Sequence, residues 1–417
     1  MKRKLKKGPV VVLAICLIVL LVIVFFPKRS KERFLADLSS MDRTKIEEYC
    51  EKEQLSCEFQ EEYHSSVAKG TVLLQEPSQD TKISKGMKVI ITLSLGEVPK
   101  EVYQENKVNE VGRVPIMMYH HIVNIPSSET KYTGGNVDKD GYNRTAEAFR
   151  GDLEKYYQEG YRMIALKDYV KGIIDVPLGK SPIILTFDDG NEDNFKVLGK
   201  KEDGSLKIDP NCAIGILEEF KQKYPDYQVT ATFFVMKGLF QQPEYNEDIL
   251  LWLVDHGYDV GNHTLNHPDF TKISAEVAMQ EVGGMDQILN EIIPGKYVSI
   301  VALPFGSPYK KTHANFANVL NGTYDGKSYQ NIAALRVGWE ADYSPFSDNF
   351  DPTFLKRIRA YDNNGVDFDI AYSLKQIQNT RYISDGDRST IVVPDSKKEK
   401  IKETYGLNVI TYDEISS

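Results

Sequence analysis

Three short stretches of the chain carry residue types able to do hydrolytic chemistry. SPIILTFDDGNED places Asp188 and Asp189 directly after an apolar run. Adjacent carboxylates repel each other unless a cation or a proton separates their roles. Asp-Gly is equally a turn dipeptide, and both readings stay open at this point. YDVGNHTLNHPDF supplies His263 and His267, three residues apart. Neutral imidazoles suit zinc and related metals, and two His plus one Asp leave coordination positions open for water. Thr264 stands where a zinc-protease helix needs Glu, and Gly261 and Pro268 favour a loop over a helix. VPIMMYHHI ends an apolar strand in His120 and His121, two of only seven histidines, none of which lies beyond His313. If one Asp binds a metal and the other stays free as a base, the pair has the division of labour that metal-assisted hydrolysis requires.

The elements that must position these residues alternate from Val114 onward. Strands are expected at PIMMYH, YRMIAL, PIILTF, VTATFFV, YVSIVAL, IAALRV, TIVVP and LNVITY. Helices lie between several of them, as at Ala146 to Gln158, where Phe149, Leu153 and Tyr156 recur at i, i+4 and i+7. That alternation implies parallel β-structure with an outer helical layer, either a barrel or an open α/β sheet. Chemistry in such folds sits at the C-terminal strand ends. TFDDG, GNHTLNH, ALPFG and YHH are thereby gathered at one rim.

ILTFDDG, ATFFV (231–235), GNHTLNH and ALPFG (302–306), in this order, resemble the NodB-type polysaccharide deacetylases of carbohydrate esterase family 4. The resemblance implies a distorted (β/α) barrel and a divalent metal, zinc first, with Co2+, Mn2+ or Ni2+ as alternatives. It makes Asp188 the general base and Asp189, His263 and His267 the metal ligands. The backbone N–H of Phe305 would help hold the oxyanion. Two features depart from the family pattern. Ala302 replaces the Arg that orients the base, and no C-terminal histidine remains to act as acid. A circularly permuted subgroup, similar to deacetylases of poly-N-acetylglucosamine, carries its acid histidine on the first strand. MMYHHI and FLKRIRA match that subgroup. The match assigns the acid to His120, with His121 as fallback and otherwise structural. Arg357 and Arg359 in LKRIRA become the candidates for tuning Asp188. Trp339 and Tyr309 are read as packing residues, with sugar stacking the alternative, and Trp252 as core.

Before the strand–helix region the chain divides further. Residues 1–9 are a basic tail, and Val10 to Phe26 run without a polar side chain, so 10–27 is expected to be an uncleaved transmembrane anchor. The basic flank places the N-terminus in the cytoplasm and everything after the anchor outside. Residues 33–96, with KGTVLLQEPSQDTKISKGMKVIITLSLG, resemble a small α+β PASTA domain, a module associated with peptidoglycan or acting as a spacer. Residues 97–113 read as a polar linker and 114–417 as the deacetylase domain. Residues 1–33 hold nine Lys/Arg and one Glu, so the net −9 of the whole chain leaves −17 on the remainder. That balance argues against a nucleic-acid partner. Cys50 and Cys57 could pair or remain thiols, since spacing does not supply the geometry. Taken together, the sequence points to metal-dependent N-deacetylation of N-acetylglucosamine units in a cell-envelope glycan, with peptidoglycan ahead of exported poly-N-acetylglucosamine. The rival reading is a non-catalytic wall-binding protein.

Overall fold

The structure, a computed structural model, describes residues 32–64, 66–126, 142–363, 365–366 and 368–414. The expected basic tail 1–9 and anchor 10–27 lie outside the described residues. Among the described residues no helix is long and apolar enough to cross a membrane. The chain divides into two compact units between Glu97 and Val98.

In the first unit, helix α1 (Arg43–Glu53) starts where the Asp42 side chain accepts from Lys45 N–H, and it buries Ile46 and Cys50. Strands β1 (Ser56–Glu62), β2 (Val72–Glu76) and β3 (Lys88–Ser94) form a mixed sheet. The central β3 runs parallel to β1 and antiparallel to β2. Leu35, Leu38, Ile46, Val89 and Ile91 fill the space between helix and sheet. Cys50 and Cys57 form a disulfide that ties α1 to β1, which answers the question their spacing left open.

Residues 97–113 are not a linker. They carry helix α2 (Lys100–Asn106), and Val98, Tyr103, Val108 and Val111 are buried. The buried Glu110 carboxylate accepts from the Tyr382 hydroxyl and from Val392 N–H, both at 2.7 Å. All these partners are distant in sequence, so the segment shows no local apolar period.

The rest of the second unit, in chain order, contains β4 (Ile116–Tyr119), β5 (His121–Val123), β6 (Asn143–Thr145), α3 (Ala146–Gln158), β7 (Tyr161–Met163) and β8 (Ser181–Phe187). Then come α4 (Ala213–Lys223), β9 (Thr232–Val235), α5 (Asn246–Asp255), β10 (Asp259–Asn262), α6 (Ala275–Ile292), β11 (Ile300–Ala302), β12 (Ala333–Leu335) and β13 (Ile358–Arg359). Seven strands lie side by side in the order β12-β11-β10-β9-β8-β4-β13, with β7 also on β8, and every pairing is parallel. The strip curls into a half-barrel. Its edges approach where Leu335, ending β12, bridges Leu355 just ahead of β13.

Burial on both faces explains why the strands read as continuous apolar runs. Every residue of β8 is buried. Ile183, Leu185 and Phe187 pack with Phe149 and Leu153 of α3 and Leu217 of α4, whereas Ile184 joins Ile116, Phe234 and Ile300 on the other face. TIVVP and LNVITY are strands as expected, but β14 (Thr390–Pro394) and β15 (Asn408–Tyr412) pair with each other outside the main sheet. Two strands of the main sheet were not legible. Asp259-Val-Gly-Asn lacks an apolar run because its centre must be small: a Cβ on Gly261 would lie 2.5 Å from the Phe234 ring. Strand β13 is two residues long.

The far edge of the strip is anchored by Asp342. Its carboxylate accepts from Tyr343 N–H and from Lys356 N–H, each at 2.7 Å, and so fixes the approach to Arg357. Burial pushes this carboxyl up to about 7, against the pull of those N–H groups, Lys356 and Arg113. A raised acid pKa means that the folded state binds the proton more tightly, so this contribution to stability is present below about 4 and lost as pH rises towards 7. Thermal melts of Asp342→Asn should show a shallower fall in midpoint across that window than the unaltered chain. Equal slopes would refute the assignment.

Candidate active site

Strand β8 ends in Asp188, whose N–H donates to Tyr119 O on the neighbouring β4 at 3.0 Å. Asp189 then takes a left-handed φ of 76° and Gly190 one of 63°. Only glycine fits at 190, because a Cβ there would meet Leu239 O at 2.2 Å. The turn reading of Asp-Asp-Gly is therefore correct, and the turn separates the two carboxylates.

Asp188 is 1% exposed and Arg357 is fully buried. Arg357 Nη1 and Nη2 each donate to one Asp188 oxygen at 2.7 Å. The guanidinium is itself held by Arg336 O (3.0 Å) and Thr186 Oγ1 (3.2 Å). Burial works against ionisation of Asp188, but Arg357 and His263 outweigh it and hold the carboxyl below its ordinary value. Arg359 does not share this task. Its guanidinium lies over the Tyr361 ring, 5.5 Å from the centroid. Arg357 precedes the two-residue β13, so the two arginines do not share one strand's alternation.

Asp189 faces the histidines. His263 follows β10, is 1% exposed, and donates from Nδ1 to Ala302 O at 2.8 Å. That bond assigns the ring proton to Nδ1 and leaves the Nε2 lone pair facing Asp189 Oδ1 at 3.3 Å. Nε2 is buried and makes no aligned hydrogen bond. His267 Nε2 is 3.8 Å from the same Asp189 oxygen. The three ligand atoms all lie within 4.8 Å of one another, and among the described residues no other group of three has this property. An inward-facing imidazole nitrogen without a partner, beside a second imidazole and a carboxylate, is a donor set that a divalent cation completes. Burial opposes ionisation of Asp189, but His263 overrides it and keeps the carboxyl well below the usual range. His267 is pushed down by burial and by His263.

The two histidines at the end of β4 point apart. His120 is 7% exposed, with Nε2 3.9 Å from Asp188 Oδ2. Tyr142 stands edge-on to its ring at 4.7 Å, and its buried Nδ1 has no hydrogen-bond partner. His121 faces outward, with Nδ1 2.8 Å from Asp193. Burial pushes His120 down to about 4, because loss of solvent outweighs the pull of Asp188 and Asp189, and Arg357 and His263 add to the depression.

Phe305 takes a left-handed φ of 57° in the turn after Ala302, and its ring stands 4.5 Å from His267. Trp339 and Tyr309, read as packing residues, are 48% and 56% exposed. Trp252 is half-buried, stacked on His256 at 3.8 Å. Sequence reading missed Thr186 and Tyr142. Thr186 left a signal, as the one polar residue among the last six of an otherwise apolar strand.

Comparison with known proteins agrees with this geometry. The polysaccharide deacetylase family matches residues 215–324, which include both metal-site histidines and Phe305 and stop short of Asp188 and Asp189. The PASTA domain family matches residues 34–95. The chain carries a polysaccharide deacetylase domain of carbohydrate esterase family 4, preceded by a PASTA domain. It is 28% identical over 130 residues to a peptidoglycan-N-acetylglucosamine deacetylase of Bacillus cereus, covering 31% of this chain and 38% of that protein. It is 25% identical over 176 residues to the peptidoglycan-N-acetylmuramic acid deacetylase PdaC of Bacillus subtilis, covering 42% and 29%. The matches thus span well under half the length of these two relatives. Among solved structures, a Streptococcus pyogenes deacetylase, PplD, in complex with acetate superposes with a TM-score of 0.45 at 21% identity, over 64% of this chain and 98% of that one.

A buried charge deprived of its partner is costly, typically about 3–5 kcal/mol. Arg357→Gln should lower the unfolding free energy by about that amount in urea titration, and adding Asp188→Asn should recover much of the loss. A double variant no more stable than Arg357→Gln would show that the two residues are not coupled.

Proposed function

We propose that the protein is a metal-dependent hydrolase that removes acetyl groups from N-acetylglucosamine units of a cell-envelope glycan, most simply peptidoglycan. The observation that carries this reading is the separation of two adjacent aspartates. One is locked to a buried arginine, and the other is turned onto two histidines. Asp189, His263 and His267 would hold a divalent cation, zinc first, which when bound would polarise the acetamide carbonyl and acidify water.

The chain's own residues do the rest. Asp188, kept ionised and oriented by Arg357, takes the proton of the attacking water. His120 gives a proton to the departing sugar amine. Burial lowers the basicity of His120, so the proton it gives must reach it during the reaction, and its Nε2 stands 3.9 Å from Asp188 Oδ2, beyond direct hydrogen-bond reach. The Phe305 N–H assists in holding the oxyanion. No charge need be imported, and the net reaction is amide plus water to acetate plus the protonated sugar amine.

The glycan is inferred from context. The PASTA domain that precedes the catalytic unit in the sequence and the two peptidoglycan deacetylases among its relatives support a wall substrate. The expected anchor at 10–27 would place the site outside a cell membrane. Exported poly-N-acetylglucosamine is the second reading, favoured by the acid histidine standing on the first strand of the domain.

Acetate release should be measured from purified peptidoglycan, poly-N-acetylglucosamine and chitooligosaccharides, with and without added zinc. Release from peptidoglycan that depends on zinc is the expected outcome, and none from any of the three would end the enzyme reading for these substrates. His120→Ala should slow turnover about 10²–10⁴-fold with metal content unchanged. Loss of metal in that variant would make His120 a ligand. An inactive His121→Ala beside an active His120→Ala would move the acid by one residue.

A further inference from the structure

The loop that carries His267 is built against a carboxylate that the reaction does not use. Between Asn262 and His267 the backbone twice adopts a left-handed φ at non-glycine residues, 71° at Thr264 and 56° at His267. Such conformations are unfavourable and persist only where the surroundings over-determine them. Here the surroundings are two turns of α6.

Glu281, 5% exposed, accepts from Asn266 N–H through Oε2 and from Asn266 Nδ2 through Oε1, both at 2.7 Å. Its own carbonyl accepts from Leu265 N–H at 3.1 Å. The next carbonyl, Val282 O, accepts from Asn262 Nδ2 at 2.9 Å, and Asn262 Oδ1 accepts in turn from Thr264 N–H at 2.8 Å. Gly284 lets Leu265 settle onto the helix, since a Cβ there would lie 2.5 Å from Leu265 Cδ1. From the other side, the Lys237 amine donates to Asn266 Oδ1. Asn266 is therefore held through its N–H, its amide nitrogen and its amide oxygen, and the residue after it is His267.

A neutral amide at 281 could accept only one of the two Asn266 donors, whereas a carboxylate accepts both, and charge-assisted hydrogen bonds are the stronger kind. A surface loop needing only to be folded has no use for an anion buried at this point. We propose that Glu281 is a positioning residue for the metal centre. By fixing Asn266 it sets where His267 Nε2 stands relative to Asp189 and His263, and so sets the affinity of the site for a divalent cation. The inference rests on Asp189, His263 and His267 being metal ligands.

The test is metal affinity, read without reference to turnover. Full-length protein stripped of metal is titrated with Zn2+ against a chromogenic chelator, and with Co2+ while its visible absorption is followed. Glu281→Gln should bind Zn2+ about 10–100-fold more weakly than the unaltered chain, with changed Co2+ bands. Its metal-free form should melt somewhat lower, since two charge-assisted hydrogen bonds are weakened, but the loss of affinity should persist at temperatures well below that midpoint. Asn266→Ala, which keeps the backbone bond and loses the side-chain one, should weaken binding in the same direction and by less. Glu276→Gln, on the exposed first turn of α6, should change neither quantity. Zn2+ affinity within twofold of the unaltered chain in both Glu281→Gln and Asn266→Ala would overturn the proposal. So would a lowered metal-free midpoint with affinity intact, which is the signature of a purely structural role. An unaltered chain that binds no Zn2+ would overturn the metal reading and this inference together, whereas unchanged affinity in the variants of a zinc-binding chain overturns this inference alone.

Discussion

A carboxylate buried beneath a strand end stays ionised only if a cation shares its burial, and in this chain that cation is Arg357. The bidentate contact with Asp188 ties residues 169 positions apart in sequence. Arg357 belongs to the segment entering β13, at one edge of the curled strip, and Asp188 to β8 within it. For the two to meet, the strip must curl and the segment before β13 must be held in place. Three contacts do the holding. Leu355 bridges Leu335 at the opposite edge, Asp342 takes the Lys356 N–H, and Gly338 brings its backbone against that of Arg357, where a Cβ would lie 2.7 Å from Arg357 O. The curl of the sheet and the ionisation of the base are thus one constraint seen at two scales.

The same pairing divides the labour of the site. With Asp188 committed to a guanidinium, Asp189 is the carboxylate left to face His263 and His267, and the left-handed turn at 189–190 gives it the direction to do so. Electrostatic repulsion between neighbouring carboxylates is resolved by giving each its own positive partner. In the proposed reading Arg357 has the role that the family resemblance implies for position 302. Ala302 contributes something different, its carbonyl oxygen, which fixes the tautomer of His263. The replacement is one of geometry and not of strand position.

How much of this could be read from the sequence depended on how local each signal was. The apolar runs of β4, β8 and β9 and the 3.6-residue period of α3 declared themselves, because their burial is repeated every few residues. Three of the four groups at the strand ends were legible for the same reason, since each follows such a run, whereas GNHTLNH declared itself by its two histidines alone. What escaped was held by distant partners. Residues 97–113 looked like a linker because Glu110 is buried by Tyr382 and Val392, not by its neighbours. Strand β10 escaped because its Gly261 exists to make room for Phe234. Arg357 and Arg359 could not be ranked, since a separation of two residues places them alike only inside a strand, and Arg357 lies just outside one. The anchor expected at 10–27, the most conspicuous feature of the sequence, falls beyond the described residues.

Burial, more than residue type, assigns the roles of the histidines. His120 and His121 are chemically identical neighbours, yet the break in the chain between β4 and β5 leaves one facing Asp188 and the other facing Asp193 at the surface. The inward ring loses solvent on all sides and is left neutral, with one nitrogen facing Asp188 and the other without a partner. A neutral ring beside an ionised carboxylate is poised to receive a proton before it can give one. That ordering matters for an amide, whose nitrogen is a poor leaving group until it is protonated. A histidine already charged at rest would be drawn to Asp188 as an ion pair and would hold its proton more tightly. The depressed basicity of His120 is therefore compatible with the acid role proposed for it when its proton arrives during the reaction, and its Nε2 faces the Asp188 carboxylate 3.9 Å away.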